Sequence, residues 1–364
     1  MVDNKQLKPE ITALLNPVVD QLTRHQITGD KTIALEISHL LMRVISATRW
    51  SNPYDLVNTI RQVGVVLQAA LPREFICGNI VRRVLSIIRV EIEENLELDP
   101  NSESNTMMSS IFSLLSTNNN TVKQESLIQS KKQSSDLRSI IIQGIRDLID
   151  EIINVNEGLE NMSADLIHDN EILLTPTPNS STVLQFLIKA RSKRKFTVLV
   201  TENYPNEIEQ THKFIKKLAD NKIETILIPD TTTFAMMSRV GKVIVGSNTV
   251  FANGGCMSNS GVSNVVECAR EHKTPVFAVA GLYKLSPLYP FNRNDLIKVG
   301  NSGKVLNYSD YELLENVDII TNPLNDYIPP ENIDIYITNI GGFAPSFIYR
   351  IVLDNYKPED NNLE

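Results

Sequence analysis

The chain has 364 residues, 42% hydrophobic and 21% charged, a balance that excludes a disordered or fibrous protein and a length that suggests more than one hydrophobic core. A formal net charge of -8 excludes a nucleic-acid backbone as the main partner, because neutralising phosphates takes clustered Lys and Arg. Cys77, Cys256 and Cys268 are odd in number and far apart, giving neither a disulfide framework nor zinc-ligand spacing, and no run approaches the roughly 20 apolar residues of a membrane span.

The N-terminus is polar and lacks an apolar run of signal-peptide length, so a cytoplasmic chain is expected. Apolar residues then recur at helical spacing: Leu7, Ile11, Leu14, Leu15, Val18 and Leu22, followed by Ile33, Ile37, Leu40, Leu41, Val44 and Ile45. Pro53 fits the first turn of a third helix carrying Leu56, Ile60, Val63 and Leu67, and a fourth carries Phe75, Ile80, Val84, Leu85, Ile88 and Ile92. Each stripe covers one face, which predicts an N-terminal helical bundle over residues 1–98.

Residues 99–135 turn to Ser, Asn, Gln and Thr and bury too little to offset their ordering, so a flexible insertion is expected, with the apolar patch at 107–115 as local structure inside it. Residues 136–168 read as connecting helices, led by the cap-forming Ser134, Ser135 and Asp136 and by isoleucines in helical register.

From 169 to 364 short apolar runs alternate with helical patterns. Strands are predicted at 196–201, 223–228, 243–246, 275–280, 317–321 and 333–338, and helices at 206–219, 232–240 and 261–272. Runs apolar at successive positions imply strands covered on both faces, hence a Rossmann-like, doubly wound, mostly parallel sheet of the α/β class. No G-x-G-x-x-G follows a strand and no P-loop lysine motif occurs, so no dinucleotide or other cofactor is expected.

The ligand crevice of such a sheet lies beyond the carboxyl ends of its strands, which carry Glu202, Asp230 and Ser247. The stretch 248–260 reads as a loop with Asn253-Gly254-Gly255 that opens a helix near Gly261, where free N–H groups would suit an anion; a plain strand-to-helix turn is the competing reading. The five histidines lack a metal-ligand spacing, and the basic run Arg191–Lys195 ends a helix, where cations suit the dipole.

The strings Phe234–Val240, Lys242–Ser247 and Val250–Gly255 occur in an order that resembles the family uniting the alpha, beta and delta subunits of translation initiation factor 2B with methylthioribose-1-phosphate and ribose-bisphosphate isomerases. Asn170–Thr175, placed before the first strand, and Leu282–Pro287 resemble beta-subunit segments of that family. The isomerase chemistry, by that resemblance, requires a cysteine in the loop after the first threonine and an aspartate directly after an Asn-Gly pair. Here the loop reads Thr175-Pro176-Thr177-Pro178-Asn179, Gly255 follows Asn253-Gly254, and Cys256 is displaced by one residue. Thr177, Asn253, Gly254 and Gly255 are therefore expected to form a degenerate isomerase pocket, with no catalytic or metal residues.

The resemblance implies a non-catalytic regulatory subunit of the guanine-nucleotide exchange factor for initiation factor 2. Its partners would be the alpha, gamma, delta and epsilon subunits, in a two-fold decamer, and initiation factor 2 including its phosphorylated alpha subunit. A sugar-phosphate isomerase, or a sensor that binds sugar phosphate or nucleotide without turnover, is the alternative. A seam with the delta subunit is expected near Ile172, Leu199 and Ile228. Docking of the initiation factor is expected on the helix over 137–153 through Arg138, Arg146, Asp147 and Asp150, against the plainer reading of a solvated face.

Overall fold

The computed structural model describes residues 7–50, 52–97, 120–292, 296–309, 312 and 315–363. The insertion expected at 99–135, with its 107–115 patch, lies outside the described residues up to 119. The chain divides into two compact units, Met1–Ile152 with Asn355–Glu364, and Ile153–Asp354.

In the first unit the apolar stripes become α1 (Pro9–Thr23), α2 (Asp30–Ala47), α3 (Pro53–Ala70) and α4 (Phe75–Glu97). The Asn52 side chain accepts from Tyr54 N–H at 3.0 Å and Pro53 fills N1, where its missing N–H costs nothing, so both local signals set the same start for α3. Leu15, Leu22, Ile37, Leu41, Ile60 and Leu67 are fully buried, and burial of this kind contributes about 1.5–3 kcal/mol per side chain. A long helix, α5 (Asn120–Leu166), starts before the expected 137; elongating a formed helix costs far less than nucleating one. Its residues through Ile152 belong to the helical unit.

The second unit holds a seven-stranded sheet: β1 (Ile172–Thr175), β2 (Thr197–Thr201), β3 (Glu224–Ile228), β4 (Lys242–Gly246), β7 (Val276–Val279), β10 (Ile335–Thr338) and β11 (Gly341–Phe343). Their order is β11-β10-β7-β4-β1-β2-β3, parallel except for β11 against β10. The crossovers include α6 (Ser181–Arg191), α7 (Ile208–Asp220), α8 (Thr233–Met237) and α9 (Val262–His272), and α10 (Ile348–Asn355) follows the sheet. This is the α/β, Rossmann-like arrangement the alternation predicts.

Three details differ from the sequence reading. Residues 170–175 do not precede the sheet; their apolar run is β1, one of its inner strands, because Ile172–Thr175 pair with β2 and Leu173 and Leu174 also pair with β4. Residues 317–321 form no strand: Val317 and Ile319 are exposed, and the strand lies later. The 248–260 stretch is no simple loop but two strands, β5 (Thr249–Phe251) and β6 (Cys256–Asn259). With β8 (Leu285–Ser286) and β9 (Asn325–Ile328) they make a second sheet ordered β8-β5-β6-β9. Strands of two to four residues give too short a pattern to separate from loop.

Candidate functional site

At the carboxyl end of β1 the chain turns through Pro176 and Thr177 into α6. The Thr177 hydroxyl is buried and accepts from Gly246 N–H at 2.9 Å, at the end of β4, while Ser258 Oγ on β6 donates to Gly246 O at 2.7 Å. Lys284, 6% exposed, donates to Ser247 O at 2.8 Å. Asn203 Nδ2 donates to Pro176 O at 3.0 Å and its Oδ1 accepts from Thr201 Oγ1 at 3.1 Å. The strand ends below the crevice are thus knitted to one another by buried polar groups, each spending its hydrogen bonds inside the protein.

The turn from β5 to β6 is held differently. Asn253 Nδ2 donates to Tyr327 Oη at 2.8 Å and Asn253 Oδ1 accepts from Gly255 N–H at 3.0 Å. Gly254 adopts φ +82°, a conformation disfavoured for other residues, and its carbonyl accepts from Tyr336 Oη at 2.8 Å. A Cβ at Gly255 would collide with the Tyr327 phenol ring, whose Cζ lies 2.8 Å from that position. Thr177 is therefore fixed by β4, and Asn253 and Gly255 by a tyrosine from β9.

Cys256 cannot stand in for the missing acid or thiol. It is fully buried, and desolvation pushes its thiol up to about 12, with the side-chain hydrogen bond it shares with Tyr336 only partly offsetting this. It stays protonated and out of contact with solvent at neutral pH.

A cleft of about 600 Å³ lies at this end of the sheet, lined by Tyr204, Asp230, Ser260, Gly261, Asp326 and Tyr327 among others. The N–H groups at the start of α9 do meet an anion, but it is the protein's own: Asp326 Oδ2 accepts from Gly261 N at 2.8 Å and Ser263 N at 3.3 Å. The Asp326 carboxyl pKa is raised by burial, which those two N–H groups only partly offset. Asp230 likewise accepts from Asn203 and Tyr204 N–H, at 3.4 and 3.1 Å. Asp326 and Tyr327 come from β9, which the sequence reading did not find.

The remaining predicted residues scatter. Leu199, in the middle of β2, and Ile228, the last residue of the edge strand β3, are 2% and 4% exposed, so neither side chain offers surface to a seam, whereas Ile226 and Leu227 on β3 are each 44% exposed. Ile172 is half-buried. On α5, Arg146, Asp147 and Asp150 are exposed, with Asp147 accepting from Gln143 Nε2 at 2.9 Å. Arg138 is committed inside the helical unit: Nη2 donates to Thr48 O at 2.7 Å and the guanidinium stacks 5.4 Å from the Trp50 ring. Arg191 in the basic run donates to the backbone carbonyls of Lys222 and Arg194, at 2.9 and 3.3 Å, closing a helix end.

A Rossmann-like unit whose strand ends are tied to one another by buried side chains, in a chain that also holds a helical unit, defines the class of protein. The chain belongs to the initiation factor 2 subunit family, whose model matches residues 26–345. It is 37% identical to the translation initiation factor eIF2B subunit beta of Schizosaccharomyces pombe, over 96% of this chain and 97% of that one. It resembles a chain in the crystal structure of the tetrameric eIF2B-beta2-delta2 complex from C. thermophilum, with TM-score 0.69 and 28% identity over 95% of each chain. More distantly, it is 28% identical to ribose 1,5-bisphosphate isomerase of Archaeoglobus fulgidus, over 62% of this chain and 69% of the enzyme. Among the described residues no helix is long and apolar enough to cross a membrane.

Proposed function

We propose that this chain is a beta-type regulatory subunit of the guanine-nucleotide exchange factor for initiation factor 2, working in the cytoplasm by binding and not by turnover. The observation that carries the reading is the Tyr327 phenol packed against Gly255, in the place where, by the family resemblance, the isomerases hold an aspartate. The loop after Thr175 lacks the cysteine as well. With neither of the family's acid–base groups present, the proton transfers of its aldose–ketose interconversion lack the pair that the resemblance requires.

An assembly role is supported by exposed apolar side chains on the sheet unit: Phe291 is 93% exposed, Ile319 79% and Ile340 58%. Exposed apolar side chains mark a partner surface where they form one contiguous patch. The partners proposed are a delta-type subunit first, then alpha, gamma and epsilon subunits in a two-fold decamer. The charged face of α5 would receive initiation factor 2 and register phosphorylation of its alpha subunit, which adds up to about two negative charges. Co-expression with a delta-type subunit and mass measurement of the native product tests this. A stable two-plus-two assembly that accelerates GDP release when completed with the other subunits is the expected result; a chain that stays monomeric beside its candidate partners overturns it. Turnover of ribose 1,5-bisphosphate or methylthioribose 1-phosphate at ordinary enzymatic rates would establish the isomerase reading instead.

A further inference from the structure

Residues 355–363 return to the helical unit, where they are held by a dense set of contacts. Pro358 starts a single 3₁₀ turn, Pro358–Asp360, that points one carboxylate into the helices. Asp360, with a side chain 1% exposed, accepts from Arg61 Nε and Nη2 at 3.2 and 2.8 Å and from Arg89 Nε and Nη2 at 2.6 and 2.9 Å. Two guanidinium forks from α3 and α4 close on one carboxylate, the strongest kind of hydrogen-bonded ion pair available to side chains.

The grip is repeated on either side. Arg82 Nε donates to Asn361 O at 3.1 Å and Arg83 Nη1 to Asn355 O at 3.4 Å. Lys357 pairs with Glu93 at 2.9 Å and Arg89 with Glu359 at 3.1 Å. Tyr356 and Leu363 are each 4% exposed, and Leu363 Cδ1 lies 3.2 Å from where a Cβ at Gly64 would stand. Arg82 is so enclosed that desolvation lowers its pKa to about 10, against the pull of Tyr356 and Asp360. Three cations, Arg61, Arg82 and Arg89, are thereby gathered on one face and covered by a short peptide of the same chain.

We propose that residues 356–363 are a latch: a tethered peptide ligand of the helical unit, gripped at Asp360 and Leu363, that opens as one piece and then presents Arg61, Arg82 and Arg89 as a basic face while both units stay folded. The segment adds no strand or α-helix of its own beyond α10, so its order comes from these contacts, and contacts of this kind open locally at less cost than global unfolding. In the closed state the arginines are spent on the chain itself.

The test uses the full chain and two separate substitutions, Asp360→Asn and Leu363→Ala, which loosen the polar and the apolar grip independently. Hydrogen exchange by mass spectrometry should show amides 356–363 exchanging on the order of tenfold faster or more in each variant, with the β1 and β4 amides unchanged. Phenylglyoxal labelling of Arg61, Arg82 and Arg89 should rise in parallel. Wild-type exchange of the tail in both variants overturns the latch, and so does acceleration spread evenly over both units, which would mean that the tail is an inseparable part of the fold.

Discussion

Tyr327 and Gly255 share one space: the phenol ring of Tyr327 lies where a side chain at Gly255 would begin, with Cε2 and Cζ 2.9 and 2.8 Å from that Cβ position. The tyrosine is then tied to Asn253 at 2.8 Å, so the turn and the ring hold each other. Restoring an acid to the Asn-Gly sequence therefore does not restore a site. Gly255→Asp should cost about 1–3 kcal/mol of stability, the usual penalty of overpacking, and yield no isomerase turnover. Urea unfolding followed by hydrogen exchange of the β4 and β6 amides, which report on the sheet unit, measures the first and a coupled assay on ribose 1,5-bisphosphate the second. Wild-type stability would show that Tyr327 swings aside freely.

The buried thiol gives a prediction in alkali. Cys256 is pushed from 9.0 up to about 12 by desolvation, and Tyr356 from 10.0 to about 12 by the same cause. In each case the folded pKa is the higher, so above pH 9 for the thiol, and above pH 10 for the phenol, the unfolded chain has lost a proton that the native chain keeps. The stability contributed by these two groups is complete below pH 9 and is lost as pH rises from 9 toward 12, by about 1.4 kcal/mol per pH unit for each, while Arg82, lowered to about 10, works in the opposite direction above pH 10. Cys256→Ala should flatten the fall between pH 9 and 10 without removing the part due to Tyr356. Equal slopes for wild type and variant over that interval would assign the loss elsewhere.

The parallel sheet was legible because β2, β3, β4, β7 and β10 are apolar at successive positions, a pattern that survives any detail of packing. The missing acid was legible too, since Gly255 has no side chain in any fold. What fills its place was not: Tyr327 lies 72 positions further along the chain, in a four-residue strand that the period-2 signal cannot resolve. The burial of Leu199 and Ile228 was not legible either, as position along a strand does not say which side chains its own unit covers, and on β3 it is Ile226 and Leu227 that are exposed. The Arg61–Asp360 contact spans 299 positions and was beyond any local pattern.

The start of the sheet is locked by one ion pair. Lys242 Nζ donates to Glu171 Oε1 and Oε2 at 2.7 and 3.0 Å, and Glu171 also accepts from His168 N–H at 3.0 Å. The side chains are only 11% and 13% exposed, so removing one partner strands a charge in a mostly dry place. Glu171→Ala should cost about 3–5 kcal/mol. Adding Lys242→Met should recover much of that, because no charge is then left unpaired. Equilibrium unfolding of both variants decides it, and a double variant no better than the single one would place the cost in the lost His168 bond.

The exposed face of α5 carries the last prediction. Arg146, Asp147 and Asp150 are exposed between the buried Ile141, Ile145, Leu148 and Ile149, so their charges can be changed without touching the core. Arg138 is different, being held by Thr48 and Trp50, and Arg138→Ala should cost about 1–3 kcal/mol by stranding a buried carbonyl and losing the stack. The paired reversal Arg146→Glu with Asp147→Lys keeps the net charge and gives up only the Asp147–Gln143 hydrogen bond, so stability should move by less than about 0.5 kcal/mol. If this face receives initiation factor 2, the reversal should weaken its binding several-fold at low salt and less at high salt, because exposed charge pairs act mainly on encounter and are screened within about 10 Å at 0.1 M. Surface plasmon resonance of the assembled complex, at two salt concentrations and with phosphorylated and unphosphorylated factor, reads this out. Unchanged affinity for both forms at both salts would make the face a solvated one and move the docking surface off α5.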